Sequence, residues 1–112
     1  MLDDVPLNAA DGIAFAAEAL VEMRLVEHKG ADGAVDGLRI SAIRSASSAA
    51  GLHLKNGDVA HASRSGARDW TAITSVAGFG AFAETLARPP APVELLVTRR
   101  GTLTLLRFTA AD

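Results

Sequence analysis

The sequence predicts one α+β domain with two main helices, a single short helical turn and five to six strands. Three observations carry that prediction. Two segments, 9–21 and 75–88, repeat apolar residues at three- and four-residue steps, the period of a helix with one buried stripe. Gly37 to Arg44 alternates apolar and polar residues, with Ile43 breaking the pattern near the end, the period of a strand with one buried face. Ser45 to Asp58 then supplies small residues, one short apolar turn and an Asn-Gly-Asp corner. That is what a chain needs to leave a strand, make one helical turn and re-enter a sheet.

Taken in order, residues 1–8 read as an irregular lead-in, and residues 9–112 as the domain. From Ala9 to Val21 a helix presents Ile13, Ala16, Ala17, Leu20 and Val21 on its apolar face, with Asp11 and Glu18 outside and Asn8 or Asp11 as the N-cap. Met23 to His28 alternates and reads as a first strand. Lys29 to Asp36, with Gly30 and Gly33, reads as a turn. In the second strand Leu38, Ile40 and Ala42 face inward against Arg39, Ser41 and Arg44, and Val59 to Ser63 forms a third. Arg64 to Thr74, which carries the sole Trp, is a loop or a short strand plus loop. A second helix over Ser75 to Arg88, capped by Thr74 or Ser75, packs through Val76, Phe79, Phe82, Ala83 and Leu86. Gly78 and Gly80 each weaken it by about 1 kcal/mol relative to Ala, and Pro89-Pro90 ends it. Val93 to Thr98 and Thr102 to Phe108 pair across Arg99-Arg100-Gly101 as a hairpin.

Composition narrows function. At 112 residues and 49% hydrophobic content the chain is one folded domain, burying roughly two-thirds of its unfolded surface. A net charge of −2, with Arg99-Arg100 as the one basic doublet, gives no electrostatic case for nucleic acid. Without cysteine there is no disulfide, thiol catalysis or Cys-based zinc site. The first residues have neither a basic start nor an uninterrupted apolar run, so no signal peptide is expected, and no stretch is apolar enough to span a membrane.

The run from Ser45 to Asp58 resembles the signature of bacterial PDZ domains, "strand, GS-x-x-A-x-x-GL-x-x-GD-V". The order helix, strand, glycine-led strand, small-residue turn, strand, helix, hairpin is likewise similar to that family from about Leu25 to Phe108. Three places are most like the PDZ domain of the type II secretion C component. Gly37-Leu-Arg-Ile-Ser-Ala-Ile-Arg44 stands where those domains read "GF-K-L-Y-A-I-R-P". Leu52-His-Leu-Lys-Asn-Gly-Asp-Val-Ala-His61 stands for "LGL-Q-NGD-V-I-H", and Val97-Thr-Arg-Arg-Gly101 for "V-T/E-RRG". The chain departs at His53, where the family has Gly, at Ser63-Arg64-Ser65-Gly66 in place of "I-N-G", and in a longer Arg68 to Thr74 stretch. If the family's glycine supplies positive φ, His53 must take the left-handed region.

The resemblance implies a PDZ-like, partly open β-sandwich that binds a peptide C-terminus, or a folded partner of a secretion complex. It implies no cofactor, no nucleic acid and no membrane contact within these residues, and a place in the periplasm or cell envelope as part of a membrane-anchored protein. The alternatives are a regulatory PDZ domain of a periplasmic protease, or a structural domain without ligand. The implied carboxylate loop is Asp36, Gly37, Leu38 and Arg39. The implied docking strand is Ile40, Ser41, Ala42 and Ile43, facing a groove wall of Phe79, Phe82 and Ala83. Those aromatic residues also fit a plain core, and Asp36 would repel the carboxylate that Arg39 attracts.

Other chemistry fares worse on the sequence. His28, His53 and His61 lie on separate elements without metal-ligand spacing, and no Gly-x-Ser-x-Gly elbow is present. Ser48, His61 and Asp58 could be imagined as a triad, but strand alternation sends Asp58 and His61 to opposite faces. No catalytic or metal-binding residue is expected.

Overall fold

Seven strands form one mixed sheet in the computed structural model, which describes residues 1–45, 47–88 and 92–110. They are Leu2–Leu7 (β1), Arg24–Lys29 (β2), Val35–Ser41 (β3), Val59–Ser65 (β4), Thr71–Ala72 (β5), Val93–Arg99 (β6) and Thr102–Ala110 (β7). Their spatial order is β1-β7-β6-β4-β3-β2, with β5 paired to β4. All pairings are antiparallel except β1 with β7. The sheet is open, so β1 and β2 are its outer strands. Three helices complete the α+β fold: Ala9–Glu22 (α1), Ser48–Gly51 (α2) and Val76–Leu86 (α3).

The expected lead-in is a strand. Leu2 to Leu7 runs parallel to β7 in the register Leu2↔Leu105 to Leu7↔Ala110, and Val5 is fully buried. Two acids and Pro6 hide this strand from any period count, and its partner lies at the other end of the chain. The remaining strands sit close to their expected places. Two residues, Arg100 and Gly101, turn the β6–β7 hairpin with φ of 50° and 78°. Both values are positive, as a tight hairpin turn matching strand twist requires.

Opposed residues in an antiparallel sheet share a face, so register sorts inside from outside. Glu27, Leu38, Ala60, Val97 and Thr104 form one row across the sheet on the helix side, and its four members from Leu38 onward are buried. Val26, Arg39, Val59, Thr98 and Leu103 form the neighbouring row on the outer face. Ala42 does not continue the inward set. Its φ of 62° turns the chain out of β3, it is exposed, and the next amide, Ile43 N–H, donates to Asn56 Oδ1 at 2.8 Å.

Helix α1 begins where Asn8 Oδ1 accepts the Asp11 amide at 2.8 Å, but its buried face differs from the expected one. Phe15 and Ala19 are buried, followed by Met23 at the C-cap, whereas Ile13, Leu20 and Val21 are exposed. The Phe15 ring decides the rotation. It meets Phe79 and Phe82 of α3 edge to face, at centroid distances of 6.2 and 6.3 Å. The two helices cross closely at Gly12, where any side chain would run into the Leu86 carbonyl oxygen. Helix α3 starts at Ser75, whose Oγ accepts the Gly78 amide at 3.1 Å. Its expected proline stop lies outside the described residues. Val76, expected on the buried face, is 46% exposed.

One buried ion pair ties the ends of three strands to the turn after α2. Asp58, 1% exposed, receives Arg99 Nε at 2.9 Å and Nη2 at 2.7 Å, and the Lys55 amide at 3.0 Å. Arg99 Nη2 also donates to the His53 carbonyl at 2.8 Å, and Nη1 lies 3.7 Å from Asp3 of β1. These bonds to Asp58 push the Arg99 pKa up and keep it charged. Among the described residues no helix is long and apolar enough to cross a membrane.

Candidate functional site

The expected groove is not assembled as the resemblance placed it. Asp36 to Ser41 lie inside β3, which is bonded on one side to β2 and on the other to β4. Ile40 N–H donates to the Asp58 carbonyl and Gly57 N–H to the Ile40 carbonyl, both at 2.8 Å. A strand whose two sides are occupied offers no edge to a peptide. The corrections extend to the side chains. Leu38 and Ile40 are fully buried, Ala42 points away, and Phe79, Phe82 and Ala83 are core residues at 0%, 2% and 1% exposure. Helix α1 covers the face of α3 that was expected to line the groove. Nor is Gly37 part of a carboxylate nest. A Cβ there would lie 2.5 Å from the Ala60 carbonyl oxygen and 2.9 Å from Val59 Cγ1, so glycine is needed for strand contact.

Two surface features remain. The first is the outer side of β2, which pairs only with β3. Val26 on this strand is 45% exposed, and α1, which leads into it, exposes Leu20 and Val21 at 49% and 83%. Strand β1 also has one unpaired side, but Pro6 interrupts its donors and Asp3 and Asp4 charge it, the devices that protect an edge. Strand β2 has no proline, and its charges, Arg24, Glu27 and Lys29, are of mixed sign.

The second is a basin of about 260 Å³ on the outer sheet face, walled by His28, Arg39, His61, Thr98 and Arg100. Two bulges build it. Residue pairing jumps from His28↔Gly37 to Lys29↔Val35, which leaves Asp36 unpaired on β3. Pairing of β4 with β6 likewise skips His61. A bulge re-aims the extra side chain, and these two aim Asp36 and His61 at one place. The His61 ring lies against Gly37, where a Cβ would be 3.0 Å from Nδ1.

Hydrogen bonds fix the histidine tautomers. His28 Nδ1–H donates to Asp36 Oδ1 at 2.6 Å, and this bond is the first cause holding the Asp36 carboxyl below its ordinary range. His61 Nδ1 faces the Asp36 carbonyl at 2.6 Å; a carbonyl only accepts, so Nδ1 carries the hydrogen. The other nitrogen, Nε2, meets Thr98 Oγ1 at 2.8 Å. Thus the sequence separated three histidines, and the fold brings two of them onto one aspartate. The imagined triad does not form. Ser48 Oγ bonds Glu18 Oε2 at 3.4 Å, and Arg99 holds Asp58. No group of three or more His, Asp or Glu among the described residues could hold a metal ion.

No family model and no curated protein matches the chain. The functional reading therefore stands on these residues and on the motif resemblance alone. The β2 edge had a weak signal in the sequence, since the strand follows a helix and precedes a turn. The basin had none, because a bulge changes register without changing composition.

Proposed function

We propose that this chain is a noncatalytic, PDZ-like docking module that binds an extended peptide segment of a protein partner along the outer edge of β2. The single observation carrying this is the unpaired edge of Arg24–Lys29, with Val26 exposed on the outer face of that strand. A peptide added there satisfies the free backbone groups and covers apolar surface, while Arg24, Glu27 and Lys29 set which charges it must carry. The PDZ-like assignment is supported by the Ser45–Asp58 motif and by the element order from β2 to the β6–β7 hairpin. The same motifs support a role as the periplasmic domain of a secretion-machine component. The absence of catalysis is supported by the engagement of Asp58, His61 and Ser48 in separate structural contacts.

The test is an amide-shift titration of the labelled chain with peptides bearing free C-termini and with internal peptides. Binding should shift Arg24 to Lys29, and Val26→Asp should weaken it about tenfold or more, a loss of about 1.4 kcal/mol. Shifts confined to another surface would refute the β2 assignment.

A further inference from the structure

The basin on the outer sheet face is a second feature, apart from the β2 edge. We propose that it binds an oxyanion, a phosphate or carboxylate group, between Arg39 and Arg100. Arg39, from β3, and Arg100, from the hairpin tip, line the same 260 Å³ space. Neither has an ion-pair partner among the described residues, although the chain as a whole is acidic at −2. The nearest carboxylate, Asp36, is already matched by His28 Nδ1–H at 2.6 Å. With both histidines neutral, the two arginines and Asp36 leave one net positive charge.

The depression exists because of backbone features that cost the sheet regularity. Two bulges turn Asp36 and His61 onto one spot, and the missing side chain at Gly37 lets the His61 ring pack against β3 there. The rim is formed by Gly57 and Gly101, both at positive φ, which keeps bulk away from the mouth. A guanidinium group presents forked N–H donors, the geometry that planar carboxylate and tetrahedral phosphate oxygens accept. This site lies on the sheet face and not along the β2 edge, so it does not depend on peptide docking there.

The experiment uses the full chain, labelled for amide shifts, titrated separately with inorganic phosphate and with acetate against sodium chloride at equal ionic strength. Saturable shifts are expected at Gly37, His61 and Gly101. The double variant Arg39→Gln, Arg100→Gln should weaken binding at least about tenfold, while Arg39→Lys, Arg100→Lys retains much of it. Spectra of each variant outside the basin should overlay on the wild type, which separates loss of binding from loss of fold. Tighter binding of phosphate identifies a phosphoryl ligand, and equal or tighter binding of acetate identifies a carboxylate. Shifts no different from those with chloride, or saturable shifts unchanged in the double glutamine variant, would overturn the proposal.

Discussion

His53 takes φ of 66°, the left-handed region expected for it from the glycine usually found at this turn. Histidine tolerates that region better than a branched residue, but a Cβ there remains strained, by about 1 kcal/mol or more. The compensation is visible: His53 Nδ1 lies 3.1 Å from Asp3 Oδ1, and its carbonyl accepts from Arg99. A glycine keeps the carbonyl contact and loses only the partly exposed imidazole–carboxylate contact, a pair worth a few tenths of a kcal/mol. His53→Gly should therefore raise the denaturant midpoint, by an amount on the order of 1 kcal/mol, and the gain should be larger in an Asp3→Asn background. A lower midpoint in both backgrounds would mean that the left-handed geometry is not strained. This residue was legible in the sequence because the spacing between Leu52 and the Asn-Gly-Asp corner fixes the turn. Ala42, at φ of 62°, was not: alternation placed it inside, and only the bond from Ile43 to Asn56 shows why the strand must end there.

At the scale of elements, helices were found where periodicity put them, but the rotation of α1 was not. Its sequence is apolar on nearly every side, so spacing alone selects no face. The volume of one ring does, because Phe15 fills the space between Phe79 and Phe82 and leaves Ile13, Leu20 and Val21 outside. The same rotation removed the expected groove, since α1 lies on the face of α3 that would have lined it. Strands β4, β6 and β7 are joined on the outer face by Glu94, whose carboxylate accepts Arg64 Nε at 2.5 Å and Arg107 Nε at 3.3 Å. The Arg64 bond, then that of Arg107, holds the Glu94 carboxyl below its ordinary value despite the opposing effect of burial. A carboxyl with a folded pKa below its unfolded one contributes stability that is fully present above the unfolded value and is lost as pH falls through the folded one. Thermal melts should accordingly show the wild type losing stability as pH drops below about 4.5. The Glu94→Gln variant should be less stable at pH 7 and lose less on acidification. Equal losses in the two proteins would place the acid sensitivity elsewhere.

For the whole molecule, the decisive element is the one that sequence patterning left out. Strand β1 carries Pro6 and two acids, and its partner β7 closes the chain, so nothing local marks it as structure. Its contribution is nonetheless threefold: it pairs along six register positions with β7, seats Val5 in the core, and brings Asp3 to Arg99 and His53. Burial of Val5 alone is worth roughly 1.5–3 kcal/mol, and the strand bonds add to it. Deleting residues 1–7 should therefore lower the unfolding free energy by at least about 2 kcal/mol and reduce the denaturant m-value, since less surface remains to be exposed. It should also bare the outer side of β7, whose Leu103 is already 56% exposed, and leave an unprotected edge. Size-exclusion runs at rising concentration should then show self-association in the truncated chain and not in the full one. An unchanged midpoint and m-value would reduce β1 to a tether. Loss of stability without association would instead show that residues 1–7 support the core without guarding the β7 edge.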